Sequence, residues 1–203
     1  MLNQTTRQRL LDQGFCNCDL DSTPALPRLA RWTPLACAAF GTLGIALQFF
    51  YSSMVHPLFS EQCQCWAKSP YNIGGVYFLV LGAFTLTGGF SDSSIFDRLY
   101  NVLLRPLFGG SPIPPHGAPR RFGCAIGGLV YMASGAAFLL AFRTTIIGGG
   151  ADGPTTIFIT THNLLLPAVA YGLAIFMIVF ALIAGITQWC FASTLYKFLF
   201  AKK

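Results

Sequence analysis

The sequence contains four long apolar stretches, separated by shorter segments that hold most of its polar residues. Each stretch reaches or approaches the roughly 20 residues that a helix needs to cross the hydrocarbon core of a bilayer. The pattern predicts transmembrane helices at about residues 33–52, 72–90, 122–142 and 164–191. We therefore predict an all-α membrane protein in which four transmembrane helices form a bundle.

The same apolar pattern occurs twice, as two tandem copies of a two-helix unit. An Arg-containing segment precedes each copy, Pro27-Arg28 in the first and Pro119-Arg120-Arg121 in the second. A Leu-Tyr pair follows each copy, at Leu99-Tyr100 and Leu195-Tyr196. Because each copy has two spans, the second copy enters the membrane from the same side as the first. The sequence thus predicts a parallel repeat about an axis along the membrane normal.

The repeat divides the chain into four regions. We predict an N-terminal segment at residues 1–32 and a first two-span repeat, with an interfacial helix at its end, at residues 33–110. A Pro-rich hinge is predicted at residues 111–121, because proline and glycine interrupt regular structure there. The second two-span repeat follows at residues 122–203. His116, within the hinge, is expected to face solvent.

The interfacial helix is predicted directly after the second apolar stretch. Residues 91–94 supply hydroxyl groups that can cap its N-terminus. Apolar residues then recur at helical spacing, opposite the polar residues Asp97, Arg98 and Asn101. The apolar positions are Ile95, Phe96, Leu99, Tyr100 and Leu103. An amphipathic helix of this kind is expected to lie along the membrane surface.

Composition and charge agree with a membrane assignment. The chain is 54% hydrophobic and 10% charged, with a mean hydropathy of +0.58, which is outside the range of ordinary soluble domains. Of the 13 Lys and Arg residues, only Lys68 and Arg143 lie in the first and third loops. The positive-inside rule therefore predicts that both termini and the middle loop lie in the cytoplasm. Topology and anionic lipid account for the net charge of +6 without nucleic acid.

Cysteine and histidine residues in the external loops supply candidate chemistry. Cys63 and Cys65 flank Gln64 in the first external loop, and His56 and His162 lie near the membrane boundaries. The two thiols could brace the loop, or form a strained and easily reduced disulfide suited to thiol exchange. With the two imidazoles they could instead bind zinc or copper. The sequence leaves these three alternatives open.

Three further cysteines fall within the predicted spans. They are Cys37, Cys124 and Cys190. Cysteine inside a membrane helix usually behaves as a small apolar residue. We therefore expect these three side chains to serve helix packing.

Several short motifs lie between and after the predicted spans. They are Arg98-Leu99-Tyr100, Arg105-Pro106, Pro119-Arg120-Arg121-Phe122-Gly123, Cys190 and Leu195-Tyr196. Together they resemble an uncharacterised family of bacterial four-helix membrane proteins, known as a domain of unknown function. The resemblance covers most of residues 28–200 and implies the four-helix membrane fold, in a bacterial inner membrane. It also implies two Cys residues separated by two others in the closing motif, whereas here Cys190 is followed by Ser193.

A second resemblance concerns residues 146–160, which contain Gly148-Gly149-Gly150 followed by Asp152-Gly153-Pro154. This run is similar to a signature of the beta subunit of sodium-pumping decarboxylases, where the Asp is implicated in sodium transport. The resemblance implies an ion-binding role for Asp152. Glycine, aspartate and proline in this order also favour a simple turn, which is the alternative interpretation.

The function predicted from the sequence is that of an accessory or scaffolding subunit in a larger membrane assembly, without catalysis of its own. A small bundle with little internal polarity and mostly short loops favours such a role. One alternative is a membrane thiol-disulfide protein that uses Cys63 and Cys65, and another is a translocator of small solutes or cations. We predict no cofactor, apart from the zinc or copper alternative, and we expect membrane lipids and other membrane subunits as partners.

Overall fold

Four helices of the computed structural model are long and apolar enough to cross a membrane, at Leu26–Ser53, Asn72–Phe90, Ala118–Leu140 and Leu165–Thr187. We call them the first to fourth spans. The structure describes residues 4–15, 17–22, 25–55, 71–108, 110–147, 157–162 and 165–200. It is predominantly helical, and the prediction of four helices capable of crossing a membrane is confirmed.

Consecutive spans run in opposite directions. At one end of the bundle, Trp32 Nε1 donates a hydrogen bond to the Phe96 carbonyl, 2.9 Å away. At the other end, the Gly74 amide donates to Gln48 Oε1 at 2.7 Å. We call one end of the bundle the charged end. It holds Trp32, the last turn of the second span, the first turn of the third and the last turn of the fourth.

The first span begins with a short helix at Leu26–Leu29 and continues as an α-helix at Trp32–Phe50. One π-helical turn, Tyr51–Val55, follows this helix. The first span packs mainly on the fourth span. The second span packs mainly on the third, and the third also packs on the fourth.

The second and third spans approach each other so closely that glycine is required at their crossing. A Cβ atom placed on Gly128 would lie 2.7 Å from the Leu86 backbone nitrogen. A Cβ atom on Gly82 would lie 2.7 Å from the Gly128 carbonyl oxygen. Small residues permit such backbone contact, which is a main source of helix association in lipid. Beside this crossing, the Phe78 ring stacks between Tyr131 and Phe138, with centroids 5.9 Å away on each side.

A helix follows the second span at the charged end. It begins at Ile95–Leu99, passes through a π-helical turn at Tyr100–Leu104 and ends at Arg105–Phe108. We call these residues together the 95–108 helix. Asp97 was predicted on its polar outer face, and this prediction is wrong, because the Asp97 side chain is fully buried against neighbouring elements.

The Pro-rich segment after this helix returns along it to the third span. Asn101 holds the segment through both backbone polar groups of Ile113, accepting from its amide at 2.9 Å and donating to its carbonyl at 3.4 Å. His116 was expected to face solvent, but its exposed fraction is only 5%. The expectation is wrong because the segment folds inward and directs the imidazole at Asp97.

Two short strands lie between the third and fourth spans. Phe142–Ile147 and Ile157–His162 pair as an antiparallel hairpin, with Phe142 opposite His162. The all-α prediction did not include this hairpin. The two segments contain mainly Thr, Ile and Phe residues, which favour extended structure.

The fourth span ends earlier than its apolar pattern predicts. The helix stops at Thr187, because Gln188 has a positive φ of 56°, and a new helix begins at Phe191–Phe200. Cys190 therefore lies in the turn between the two helices. The prediction that it lies inside a span is wrong.

The N-terminal residues pack against the charged end. Two helices, Gln4–Asp12 and Asn17–Ser22, precede the first span, and their apolar side chains form a small cluster with those of Leu26 and Ala30. Arg9 Nη1 donates to the Thr187 carbonyl at 2.6 Å, and Gln13 Nε2 donates to the Gln188 carbonyl at 2.7 Å. The N-terminal segment thus covers the end of the fourth span.

Candidate functional site

A cluster of four polar residues is buried at the charged end of the bundle. Its members are Thr33, Asp97, His116 and Arg120, which come from the first span, the 95–108 helix, the Pro-rich segment and the third span. We call it the ion cluster. Because charged groups are costly to bury, their convergence here makes this cluster the best candidate for a functional or structural centre.

The position of Asp97 follows from the local sequence Ser94-Ile95-Phe96-Asp97, which forms a capping box. The Asp97 amide donates to Ser94 Oγ at 3.2 Å, and the Ser94 amide donates to Asp97 Oδ2 at 3.2 Å. These reciprocal bonds satisfy two amides at the helix start and fix the carboxylate where the helix dipole favours negative charge. The capping box thus presents Asp97 to the interior.

Three partners surround the Asp97 carboxylate. His116 Nε2 lies in contact with Asp97 Oδ2, and Thr33 Oγ1 donates to Asp97 Oδ1. Arg120 Nη2 lies 3.6 Å from Asp97 Oδ1 and donates to Thr33 Oγ1 at 2.6 Å. The Thr33 hydroxyl therefore links the guanidinium to the carboxylate, accepting from one and donating to the other.

The electrostatics of the ion cluster favour one charge of each sign. Burial alone would raise the pKa of Asp97, but the hydrogen bond from His116 and the Arg120 charge hold it well below its usual range. Burial, assisted by the Arg120 charge, lowers the pKa of His116 despite the neighbouring carboxylate. At neutral pH the cluster therefore contains an ionised Asp97, a cationic Arg120 and a neutral His116.

Arg120 retains unused hydrogen-bonding capacity. Its exposed fraction is 7%, and its Nη1 atom is buried without a hydrogen-bond partner among the described residues. The Phe15 ring lies over the guanidinium, 5.1 Å from Cζ to the ring centroid, in a cation–π arrangement. A buried donor left unpaired costs about 1–3 kcal/mol, so an acceptor at Nη1 would stabilise the structure.

A cavity of about 240 Å³ lies beside the ion cluster, between the first, third and fourth spans and the C-terminal helix. Arg120 and Thr33 line it, whereas Asp97 and His116 are not among its lining residues. Its other polar or thiol-bearing lining residues are Gln13, Cys37, Thr85, Cys124, Tyr131, Cys190 and Ser193. Most of the remaining surface is apolar. The acid/base groups of the cluster are thus separated from the space that a ligand would occupy.

Comparison with known families identifies the chain. A family model described as Domain of unknown function (DUF4395) matches residues 27–201. The chain belongs to this family. The DUF4395 match includes the first span from residue 27, the other three spans, the ion cluster and every cavity-lining residue except Gln13. It confirms the resemblance to an uncharacterised family. Neither the curated proteins nor the solved structures gave a match.

Of the five candidate residues chosen from the sequence of this DUF4395 chain, four fall outside the described residues. They are Cys63, Cys65, His56 and Asp152. His162 is the last residue of the second strand. Within the described ranges, no group of three or more His, Cys, Asp or Glu side chains is arranged to hold a metal ion.

Sequence reasoning did not select the ion cluster. Ser94 and Asp97 have the spacing of a capping box, which was a usable signal for a carboxylate held at a helix start. His116 and Arg120 follow Asp97 by 19 and 23 positions through a Pro-rich segment. No periodic pattern spans such a segment, so only the tertiary structure shows that these side chains meet.

Proposed function

We propose that this chain is an integral membrane accessory or scaffolding subunit of a larger membrane protein assembly, without catalysis of its own. The observation that carries the proposal is the apolar surface on the two helices that follow the second and fourth spans. Leu107 on the 95–108 helix is 75% exposed, and Phe198 on the C-terminal helix is 85% exposed. Both residues lie beyond the membrane-length segments, where an apolar surface requires a partner or the lipid interface.

The tandem repeat supports placing both helices on the same side of the membrane. The 95–108 helix begins at Ile95 and the C-terminal helix begins at Phe191, 96 positions later. The Leu-Tyr pairs at Leu99-Tyr100 and Leu195-Tyr196 are separated by the same 96 positions. In a parallel repeat the two helices would lie at the same membrane face and form a docking surface there, partly embedded in the interface as amphipathic helices are.

The proposed location is the bacterial inner membrane, with both termini and the docking surface on the cytoplasmic side. The Lys and Arg distribution supports this orientation, because Arg9, Arg120, Arg121 and Lys197 all lie at or next to the charged end. Membrane lipids and other membrane subunits are the proposed partners, with no role for nucleic acid and no resident cofactor.

The arrangement of the ion cluster supports a structural role over a catalytic one. General acid–base catalysis requires the titrating group within hydrogen-bond reach of the substrate. Asp97 and His116 are engaged with each other and do not line the cavity. Their contacts instead connect the 95–108 helix to the start of the third span. The cluster thereby fixes the position of the proposed docking surface.

The docking surface can be tested by shortening its exposed apolar side chains without changing the buried residues of the bundle. The double variant Val102→Ala/Leu107→Ala removes exposed apolar volume from the 95–108 helix. The control Val80→Ala/Leu129→Ala removes the same atoms from exposed positions within the second and third spans. After mild-detergent purification from the native membrane, we expect loss of co-purifying subunits in the first variant only. Equal recovery of subunits from both variants would contradict the proposal.

A further inference from the structure

The cavity beside the ion cluster has the properties of a ligand site, independently of any protein partner. It is lined mainly by apolar side chains, and one cationic side chain, Arg120, contributes to its wall. Ligand pockets typically combine an apolar lining with a few polar groups that fix orientation. The apolar lining therefore selects a largely hydrophobic ligand, and Arg120 determines the polar group that the ligand carries.

Arg120 requires a hydrogen-bond acceptor that the described residues do not supply. Its Nη2 atom is occupied by Thr33 and lies near Asp97, and the Phe15 ring covers the guanidinium. Its Nη1 atom is buried and unpaired within the described part of the chain. Buried donors are nearly always satisfied in native proteins. A ligand oxygen within hydrogen-bond distance of Nη1 would supply the missing acceptor.

Charge balance distinguishes a neutral acceptor from an anionic one. Asp97 already neutralises Arg120, and His116 carries no charge at neutral pH. A carboxylate or phosphate at Nη1 would leave the site with an excess negative charge in a region of low dielectric constant, which is unfavourable. A carbonyl or ester oxygen accepts the same hydrogen bond without adding charge.

The size of the cavity restricts the apolar part of the ligand. Its volume of about 240 Å³ is below the range of about 300–1,000 Å³ that holds drug-sized ligands. Two acyl chains and a phosphate headgroup exceed this space. Phe176 and Phe191 line the cavity and are 50% and 48% exposed, so the cavity opens to the surface of the bundle. We propose that the cavity holds the carbonyl group and the adjoining part of the chain of a neutral single-chain lipid, whose carbonyl oxygen accepts a hydrogen bond from Arg120.

Saturation binding to the purified full chain in detergent micelles tests this proposal. The probe is tritiated 1-monooleoylglycerol, which has a neutral ester head, and the competitors are oleate and 1-octadecene. Oleate has the same chain with an anionic head, and 1-octadecene has a chain of the same length without an oxygen acceptor. We expect saturable binding, with competition by either compound at least about tenfold weaker than by unlabelled 1-monooleoylglycerol.

Two glycine variants separate cavity occupancy from general effects of added volume. Gly123 lines the cavity, and a Cβ atom there would meet Cys190 Sγ and Ala192 Cβ at an ordinary 3.5 Å. Gly123→Leu should therefore fill cavity space and weaken probe binding by at least about tenfold. Gly172 lies on the fourth span with nothing within 4 Å of its Cβ position, so Gly172→Leu is the matched control. We expect unchanged binding in that variant.

The role of Arg120 itself is tested by Arg120→Lys, which keeps a cation opposite Asp97 and removes the Nη1 donor. We expect the preference for 1-monooleoylglycerol over 1-octadecene to fall to near equality. If this variant does not fold, the Gly123→Leu comparison still decides whether the cavity is the site, because it leaves the ion cluster intact. Absence of saturable binding, undiminished binding by Gly123→Leu, or competition by oleate as strong as by 1-monooleoylglycerol would overturn the proposal.

Discussion

Arg120 Nη2 lies 3.6 Å from Asp97 Oδ1, and this contact joins the first turn of the third span to the helix that follows the second. Thr33 hydrogen-bonds to both side chains and adds the first span to the same junction. The proposed docking surface on the 95–108 helix thus depends on a buried ion pair for its position. Removing either charge leaves the other uncompensated.

Loss of the Asp97 charge should destabilise the protein strongly. Asp97→Asn leaves the Arg120 cation buried, and breaking a buried pair in this way costs about 3–5 kcal/mol. Asp92→Asn is the control, because Asp92 forms a surface pair with Arg121 and its side chain is 77% exposed. An exposed pair contributes about 0–1 kcal/mol. Chemical unfolding in mixed micelles should show this difference, and equal effects of the two variants would contradict a structural role for the ion cluster.

Stability should fall as the pH drops below about 6.5, the usual pKa of histidine. Burial beside Asp97 and Arg120 holds the pKa of His116 below that value, so the unfolded chain takes up a proton first. The stability that His116 contributes is therefore present above about pH 6.5 and is lost as pH falls toward its folded-state pKa. The loss is at most about 1.4 kcal/mol per pH unit.

The variant His116→Asn identifies the source of this pH dependence. It retains a side-chain donor near Asp97 but cannot titrate, whereas His56 and His162 remain in both proteins. Unfolding measured from pH 7.5 to pH 5 should give a flatter profile for the variant than for the wild type. Parallel profiles would show that His116 does not titrate as we infer.

The apolar pattern predicted the four spans well, because burial in lipid acts directly on hydrophobic residues along the chain. The apolar pattern gave wrong predictions where tertiary contacts determine whether a side chain is buried or where a helix ends. Asp97 shares a helical face with Arg98 and Asn101 in the sequence, yet capping and His116 place it in the interior. Gln188 ends the fourth span through a positive φ that neither glycine nor proline signals.

The crossing of the second and third spans should tolerate no added methyl group. In Gly128→Ala, the new Cβ atom would lie 2.7 Å from the Leu86 nitrogen, so the two helices must separate. Overpacking of this kind costs about 1–3 kcal/mol. Gly172→Ala, at an open position, should be neutral or stabilising by up to about 1 kcal/mol through helix propensity. Unfolding of both variants in micelles makes the comparison, and a stable Gly128→Ala variant would show that the crossing is looser than described.

Cys63 and Cys65, in the loop predicted to be external, should be dispensable for an accessory subunit. We expect the double variant Cys63→Ser/Cys65→Ser to reach the membrane and to retain its associated subunits at wild-type levels. A thiol-disulfide protein would instead lose its activity, and its wild-type thiols would change state with external reductant. Thiol trapping on intact cells, together with co-purification of the double variant, distinguishes the two functions.

The proposal of an accessory subunit is tested most directly by the mass of the intact particle after mild-detergent extraction from the native membrane. We predict a mass that contains this 22.0 kDa chain together with at least one different integral membrane polypeptide at fixed stoichiometry. A particle whose protein mass is that of this chain alone, or of several copies of it, would contradict the proposal.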